Sequence, residues 1–414
     1  MSKKPHSTDR RDFLKTGIGI SSLIALGGTA PGWVRGAEPE EAAGDSAQRV
    51  LPRRKLGKNG PEVTILNLGG MMAAHNPQYL DVAWQLGIRY FDTADCYKGG
   101  KSEEDIGTWI TKYPERRKDL FLVTKDHPRK GPAQLIEQLD RRLEKLKTDY
   151  VDLFFIHGLG PREYGEDAVN WVKGEGGLKE VFKKIKESGK AKMCGFSCHD
   201  GKLVDFLNAS AEGGFVDAIM LRYNPFMEKG GNLDQALDAC HRAGIGLISM
   251  KEMKPFAKAP KKQPELEKVG LTTHQALLHA VWSDPRIATI CSSMDNLGQL
   301  DENTLAASVF KDPLPEAQRK ALREVASLTP APMCPGCPHC EKMVARTAYA
   351  FYDIARYVTY YEQDGDSGAR EMYQALPEGM RSASATELYA LREGCDFNVD
   401  YPEIARRAEN YFIS

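Results

Sequence analysis

Phe91-Asp92-Thr93-Ala94-Asp95-Cys96-Tyr97 is the stretch that decides how this chain is read. It follows Gly87-Ile88-Arg89-Tyr90, a glycine and a short run that reads as a buried strand, and it gives way to the loop Lys98-Gly99-Gly100. An acid at the last turn of a strand and a tyrosine five residues later put two side chains at one loop mouth. Two more strand-like runs end in titratable residues: Leu120 to Lys125 closes on a lysine, and Val151 to His157 on a histidine. Asp, Tyr, Lys and His, each where a strand gives way to a loop, are the parts of a proton-donating site.

Working outward, short apolar runs alternate with helical patterns from Val63 onward. The strand candidates are Val63–Leu68, Ile88–Thr93, Leu120–Lys125, Val151–His157, Ala191–Ser197, Ala218–Asn224, Ile245–Lys251 and Ile287–Ser292. Between them lie apolar residues at helical spacing, such as Leu135, Leu139, Leu143 and Leu146, and the stretches Leu178–Lys186, Leu203–Ala211, Leu233–Ala243 and His274–Trp282. Gly87, Gly189 and Gly244 stand where helices turn into strands. Eight such units over about 250 residues predict an α/β fold, a parallel (β/α)₈ barrel. A doubly wound open sheet would carry a Gly-x-Gly-x-x-Gly turn after an early strand, and Leu66-Asn67-Leu68-Gly69-Gly70 does not supply one. Asp92, Lys125, His157, Ser197, Asn224 and Lys251 all fall at C-terminal strand ends, the face where barrels build active sites.

The chain has 414 residues, enough for a large domain and an appendage, with a formal charge of −1 and no basic stripe with interleaved aromatics. Nucleic acid is therefore set aside as a partner. The sequence divides into residues 1–37, a linker over 38–52, the barrel over 53–310 and a helical, cysteine-containing region over 311–414. The first segment, with Arg10-Arg11-Asp12-Phe13-Leu14-Lys15 ahead of a mild apolar run from Gly17 to Gly28, resembles a bacterial twin-arginine export signal. The resemblance implies the twin-arginine export machinery as a partner and a periplasmic location for a chain exported folded. The run is short for a membrane span, so the mature chain is expected to have none; an uncleaved signal would tether it.

The ordered set Phe91-Asp92-Thr93-Ala94 with Tyr97, Val123-Thr124-Lys125, Ile156-His157, Gly195-Phe196-Ser197, Arg222-Tyr223-Asn224-Pro225 and Gln299 to Asn303 resembles the aldo-keto reductases over roughly Arg54 to Phe310. The residue types make chemical sense together. Hydride addition to a carbonyl leaves an oxyanion that needs a proton. A phenol titrating near pH 10 is a poor acid at neutrality, and an adjacent lysine ammonium lowers that value. Tyr97 is thus expected to be the general acid, Lys125 its tuner, Asp92 the anchor of the lysine and His157 the donor that orients the substrate. The resemblance further implies a nicotinamide dinucleotide, NADP or NAD, contacted by Ser197 at the carboxamide, Tyr223, and Ser292, Gln299 and Asn303 at the pyrophosphate and adenine end. Cys198 and Met220 depart from the family's common Asn and Gln, and Met294 stands where members that prefer NADPH often carry a basic residue, which leaves the choice between the two nucleotides open.

Beyond Phe310 a different signal appears. Cys334-Pro335-Gly336-Cys337-Pro338-His339-Cys340 spaces soft thiolates every third residue, with Cys395 far downstream. Such spacing fits metal ligation. The region resembles the ferredoxin-like extension of one aldo-keto reductase branch, which implies one [4Fe–4S] cluster on Cys334, Cys337, Cys340 and Cys395; zinc, with His339 as an alternative ligand, or disulfides remain alternatives. The cluster is expected to be structural, since no flavin motif is present to split an electron pair. The tyrosine-rich stretch Tyr349 to Tyr361 is expected to pack on the barrel. The function expected is hydride transfer between nicotinamide and a small carbonyl or alcohol: an aldehyde, ketone or sugar. Other readings are a nucleotide-binding barrel that senses or scaffolds, and an iron–sulfur electron-transfer module.

Overall fold

The eight strand regions close into one parallel barrel, in a computed structural model that describes residues 49–413 except 71–75, 228, 254–255, 257, 330, 335–347 and 365–366. The expected signal and most of the linker lie outside the described residues. A hairpin of β1 (Arg53–Lys55) and β2 (Glu62–Thr64) precedes the barrel. The barrel strands are β3 (Leu66–Gly69), β4 (Tyr90–Asp92), β5 (Phe121–Asp126), β6 (Val151–Ile156), β7 (Ala191–Cys198), β8 (Ala218–Arg222), β9 (Gly246–Met250) and β10 (Ile287–Ser292). Each pairs in parallel with its sequence neighbour, and β10 closes on β3. One expectation needs correcting. Val63–Leu68 is not a single strand, because Glu62–Thr64 pairs antiparallel with Arg53–Lys55 and only Leu66–Gly69 enters the barrel.

The helices that cross back outside the barrel form where apolar residues recur at helical spacing. In Gln134–Leu146, Leu135, Leu139, Leu143 and Leu146 are all buried. They meet the outward faces of the strands in one core that also contains Trp84, Trp109, Phe154 and Phe196. A second core fills the barrel interior with Tyr90, Val123, Leu153, Phe155, Met193, Met220 and Ile248, and Leu56 and Val63 of the hairpin region join it. Met220 therefore packs inside the barrel, as does Gly195, where a Cβ would lie 1.9 Å from the Ala218 carbonyl oxygen. Close backbone approach requires the glycine there.

A third core joins the barrel to the chain beyond it. Phe256, Leu266, Leu271 and Leu277 pack with Tyr357, Val358, Leu391, Tyr401 and Phe412. The C-terminal region is helical, including Glu316–Leu328, Phe351–Asp364, Ala385–Glu393 and Tyr401–Phe412, and it forms one compact unit with the barrel. Among the described residues no helix is long and apolar enough to cross a membrane.

Candidate active site

At the C-terminal end of β4, Asp92 is 1% exposed, as is Lys125 at the end of β5. Burying two opposite charges is tolerable only as a pair. Lys125 Nζ lies 2.5 Å from Asp92 Oδ1 and 2.9 Å from the carbonyl oxygen of Thr93. Its remaining direction reaches the Tyr97 hydroxyl at 3.4 Å. The His157 ring meets the Tyr97 ring edge-on, with centroids 5.5 Å apart. So the four residues expected to carry the chemistry converge.

The loop that delivers Tyr97 explains the glycines after it. Lys98, Gly99 and Gly100 take positive φ values of 52°, 65° and 88° before the helix Lys101–Lys112 begins. Three left-handed residues in a row reverse the chain within a few ångströms, and glycine adopts that region without strain. Behind the pair sits a buried polar layer. Thr93 donates to Ser102 Oγ at 2.8 Å, Thr124 donates to Glu103 Oε1 at 2.6 Å, and Arg142 bonds Glu103 at 3.0 Å. These contacts fix the two strands that carry Asp92 and Lys125 against their helices.

The electrostatics differ in one respect from the expectation. Burial, and then the negative charge of Asp92, push the Tyr97 phenol well above its ordinary value. The ammonium of Lys125 is committed to Asp92 at close range, so it does not dominate the phenol. Tyr97 thus holds its proton at neutral pH, the form a donor needs. Burial alone drives the Asp92 carboxyl upward, against the opposing pull of Lys125. His157 is pushed down to about 3, first by burial, and is neutral at neutral pH. It can donate one N–H without carrying charge.

The expected nucleotide contacts divide. Ser197 accepts a hydrogen bond from Gly158 N at 2.9 Å, which leaves its own O–H to donate, beside His157. Asn303 Nδ2 donates to Ser292 Oγ at 3.2 Å, so those two stand together. Gln299 accepts from the Asp295 amide at 2.7 Å and closes the start of its own helix. Tyr223 is buried and donates to Asp284 Oδ2 at 2.8 Å, inside an ion network with Arg286 and Asp234. Its hydroxyl is thereby committed away from the Tyr97 cluster. Of the expected metal ligands, Cys334 is buried and close enough to Cys395 to raise its thiol pKa, after the larger effect of burial. Cys337 and Cys340 lie outside the described residues.

Other residues at the mouth were not singled out as site residues from sequence. Helix Phe351–Asp364 reaches the strand ends: Tyr352 stacks on the Arg222 guanidinium, 3.9 Å from its ring centroid, and Tyr360 contacts Lys251 Nζ. Lys251 takes φ +66°, unusual for a non-glycine residue. The imidazole of His199 is held neutral by burial and by the charges of Lys251, Arg356 and Arg222. His127 also joins, its ring 4.5 Å from that of His157. The sequence signal for these was weak, because each lies at or just past a strand end or on a helix, Phe351–Asp364, well beyond the barrel's last strand, Ile287–Ser292.

Comparison with known proteins agrees with this geometry. Residues 66–265 match the sequence profile of the aldo/keto reductase family. An uncharacterised oxidoreductase of Bacillus subtilis, YqkF, is 26% identical over 318 residues, covering 66% of this chain and 96% of that protein. An NADP⁺ aldo-keto reductase of Schizosaccharomyces pombe is 29% identical over 195 residues, 42% of this chain and 53% of its own length. Among solved structures, an aldo-keto reductase from Bacillus halodurans superposes with a TM-score of 0.52 at 21% identity, over 66% of this chain and 96% of that one. One from Klebsiella pneumoniae, solved with NADPH, gives 0.51 at 20% identity, over 67% and 95%. With its closed barrel, its converged Asp, Tyr, Lys and His, and these matches, the barrel of this chain is similar to the aldo/keto reductases, a family of oxidoreductases.

Proposed function

We propose that the protein reduces a small aldehyde, ketone or sugar carbonyl with NADPH or NADH, or oxidises the corresponding alcohol. The observation that carries this reading is the buried Lys125, 2.5 Å from Asp92 and 3.4 Å from the Tyr97 hydroxyl. The chain's polar atoms fit a nicotinamide dinucleotide. Asn224 Nδ2 and Arg222 Nη1, both at the end of β8, are buried without hydrogen-bond partners. Ser197 keeps a donor free, and the Ser292–Asn303 pair stands at the end of β10. The bound nucleotide supplies or accepts the hydride. Tyr97 then gives its proton to the developing alkoxide oxygen, and His157 holds that oxygen by a neutral N–H. Lys125 and Asp92 stabilise the tyrosinate that results, since the ammonium is already in place. NADP is favoured by the relatives just described, one of them an NADP⁺ enzyme and another solved with NADPH.

The test is nucleotide oxidation with a panel of neutral and acidic aldehydes, ketones and sugars. Tyr97→Phe should lower kcat by about 10²- to 10⁴-fold with nucleotide affinity kept. A variant that turns over at the wild-type rate would sink the assignment. Tight nucleotide binding by the wild type with no turnover on the whole panel would favour the sensor reading instead.

Two further parts of this reading concern the ends of the chain. The Cys334 thiol helps raise that of Cys395, which supports a shared centre with Cys337 and Cys340, and we assign it as a [4Fe–4S] cluster with a structural role. Iron and sulfide near four each per chain in anaerobically purified protein is the expected result, and zinc or no metal overturns it. The twin-arginine pattern supports export of the folded chain to the periplasm. Replacing Arg10-Arg11 by Lys-Lys should retain the protein in the cytoplasm, and unchanged export would refute the signal.

A further inference from the structure

Next to the proton-donating residues lies a cluster that shares His157 with them and adds three side chains that hydride transfer does not require. Asp95 and Cys96 follow β4, His127 follows β5 and His157 follows β6, so three neighbouring strands converge on one point. One donor atom from each of the four lies within 4.8 Å of the other three. Asp95 Oδ2 is 3.1 Å from His127 Nδ1, Asp95 Oδ1 is 3.6 Å from His157 Nδ1, and Cys96 Sγ is 3.7 Å from His157 Nδ1. A tetrahedral zinc-type ion with bonds of roughly 2.0–2.3 Å holds its donors about 3.3–3.7 Å apart. Two of these three separations fall in that range and the third lies just below it. Asp95 Oδ1 is buried and has no hydrogen-bond partner, although the carboxyl is held ionised, well below its ordinary value, by the two histidines against its burial.

We propose that Asp95, Cys96, His127 and His157 form a binding site for a zinc-class divalent ion at the barrel mouth, sharing His157 with the reductase chemistry. The donor set decides the class of ion. One thiolate, two imidazoles and one carboxylate suit zinc and its neighbours, whereas calcium and magnesium take oxygen ligands. The site is open to solvent on one side, because Cys96 is exposed while the other three side chains are 16–22% exposed. Loading is proton-balanced: the Cys96 thiol releases one proton to solvent and becomes the thiolate ligand. Both imidazoles bind through Nδ1, so each keeps its proton on Nε2. For His157 that fixes the tautomer with an N–H left to donate, which is the part assigned to it in the proposed reduction; the binding itself does not depend on that reading.

The test uses the full chain, stripped with a chelator and titrated with Co²⁺, read as difference spectra. One equivalent per chain should give a thiolate-to-cobalt charge-transfer band and the intense visible bands of tetrahedral coordination. Cys96→Ser, a near-isosteric change at an exposed position, should abolish the charge-transfer band. His127→Ala should weaken binding by about tenfold or more, since even outer partners of a metal ligand contribute that much. Cys334→Ser, in the C-terminal region, should leave these bands in place. The proposal is overturned if saturating Co²⁺ gives no tetrahedral bands, if the bands survive Cys96→Ser combined with His127→Ala, or if Cys334→Ser removes them. Because no turnover is measured, a chain that binds cobalt in this way but reduces nothing would retain the site and lose the reductase assignment.

Discussion

Replacing Lys125 with methionine tests whether the buried pair is the device that holds the site. The change keeps the length and apolar stem of the side chain and removes only the ammonium. Asp92, 1% exposed, is then left as a buried carboxyl with its charge partner gone. Breaking a buried pair by removing one member costs about 3–5 kcal/mol. The cost has a predictable pH dependence. Burial already raises the Asp92 carboxyl while Lys125 pulls it down, so losing the lysine raises it further. A raised carboxyl gives its full stabilising contribution below the unfolded value of about 3.9 and loses it as pH rises through the folded value. Lys125→Met should therefore be most destabilised at alkaline pH and recover on acidification, as Asp92 takes up a proton. Adding Asp92→Asn to the variant removes the stranded charge and should restore most of the loss at pH 8. Urea unfolding of wild type and both variants at pH 8 and pH 6 measures this. A Lys125→Met midpoint equal to wild type at pH 8, or a deficit that does not shrink at pH 6, would refute the argument.

Gly195→Ala would place a methyl 1.9 Å from the Ala218 carbonyl oxygen in the adjacent strand; a loss above about 4 kcal/mol, or no soluble protein, is expected. A wild-type melting profile would contradict the close approach of β7 and β8. His157 is held down to about 3, below an unfolded value of about 6.5, so its contribution to stability is present at neutral pH and lost as pH falls from 6.5 towards 3. An imidazole resonance assigned to His157 should show a neutral ring down to pH 4, and a midpoint above 6 would refute its burial. Arg356→Met removes one of the cations that hold His199 low. The His199 pKa should then rise towards its ordinary value, and an unmoved titration would show that the helix does not face the barrel mouth.

The barrel was legible because its two periods are physical. Strands buried on both faces, as β5 and β6 are, read as continuous apolar runs, and the helices between them show a 3.6-residue apolar repeat. The error at Val63–Leu68 came from the same signal. The hairpin residue Val63 joins the barrel's interior core, so its apolarity continues that of β3 although its hydrogen bonds point elsewhere. The convergence of Asp92, Tyr97, Lys125 and His157 was legible for a different reason: each is a chemistry-bearing side chain at a strand end or in the loop that follows it, and a strand end is visible in sequence. His127, Cys96 and Asp95 occupy the same loops, but no rule of sequence says that side chains a few residues past neighbouring strands will turn towards each other. Tyr223 shows the converse. Its position after β8 suits a ligand contact, while its hydroxyl is drawn into the Asp284, Arg286 and Asp234 network.

The C-terminal region illustrates what composition cannot give. Its tyrosines were expected to pack on the barrel, and which face they meet is a matter of tertiary placement. In the fold they meet the catalytic end. Tyr352 stacks on Arg222 at the end of β8, Tyr360 contacts Lys251 just past β9, and the charge of Arg356 helps lower the His199 imidazole just past β7. Three strand ends in a row are thereby capped by one helix that the barrel pattern does not include. Arg356 pairs with Asp353 on its own helix at 2.9 Å, so it approaches the mouth already partly neutralised, which lowers the cost of burying it there. Substrate selection in a barrel is built on the loops over this face. Here part of that face is a helix anchored in its own hydrophobic core, with Ile354, Tyr357 and Val358 on its packed side. A helix so packed holds Tyr352 and Tyr360 in fixed register against Arg222 and Lys251, two cations at the ends of neighbouring strands.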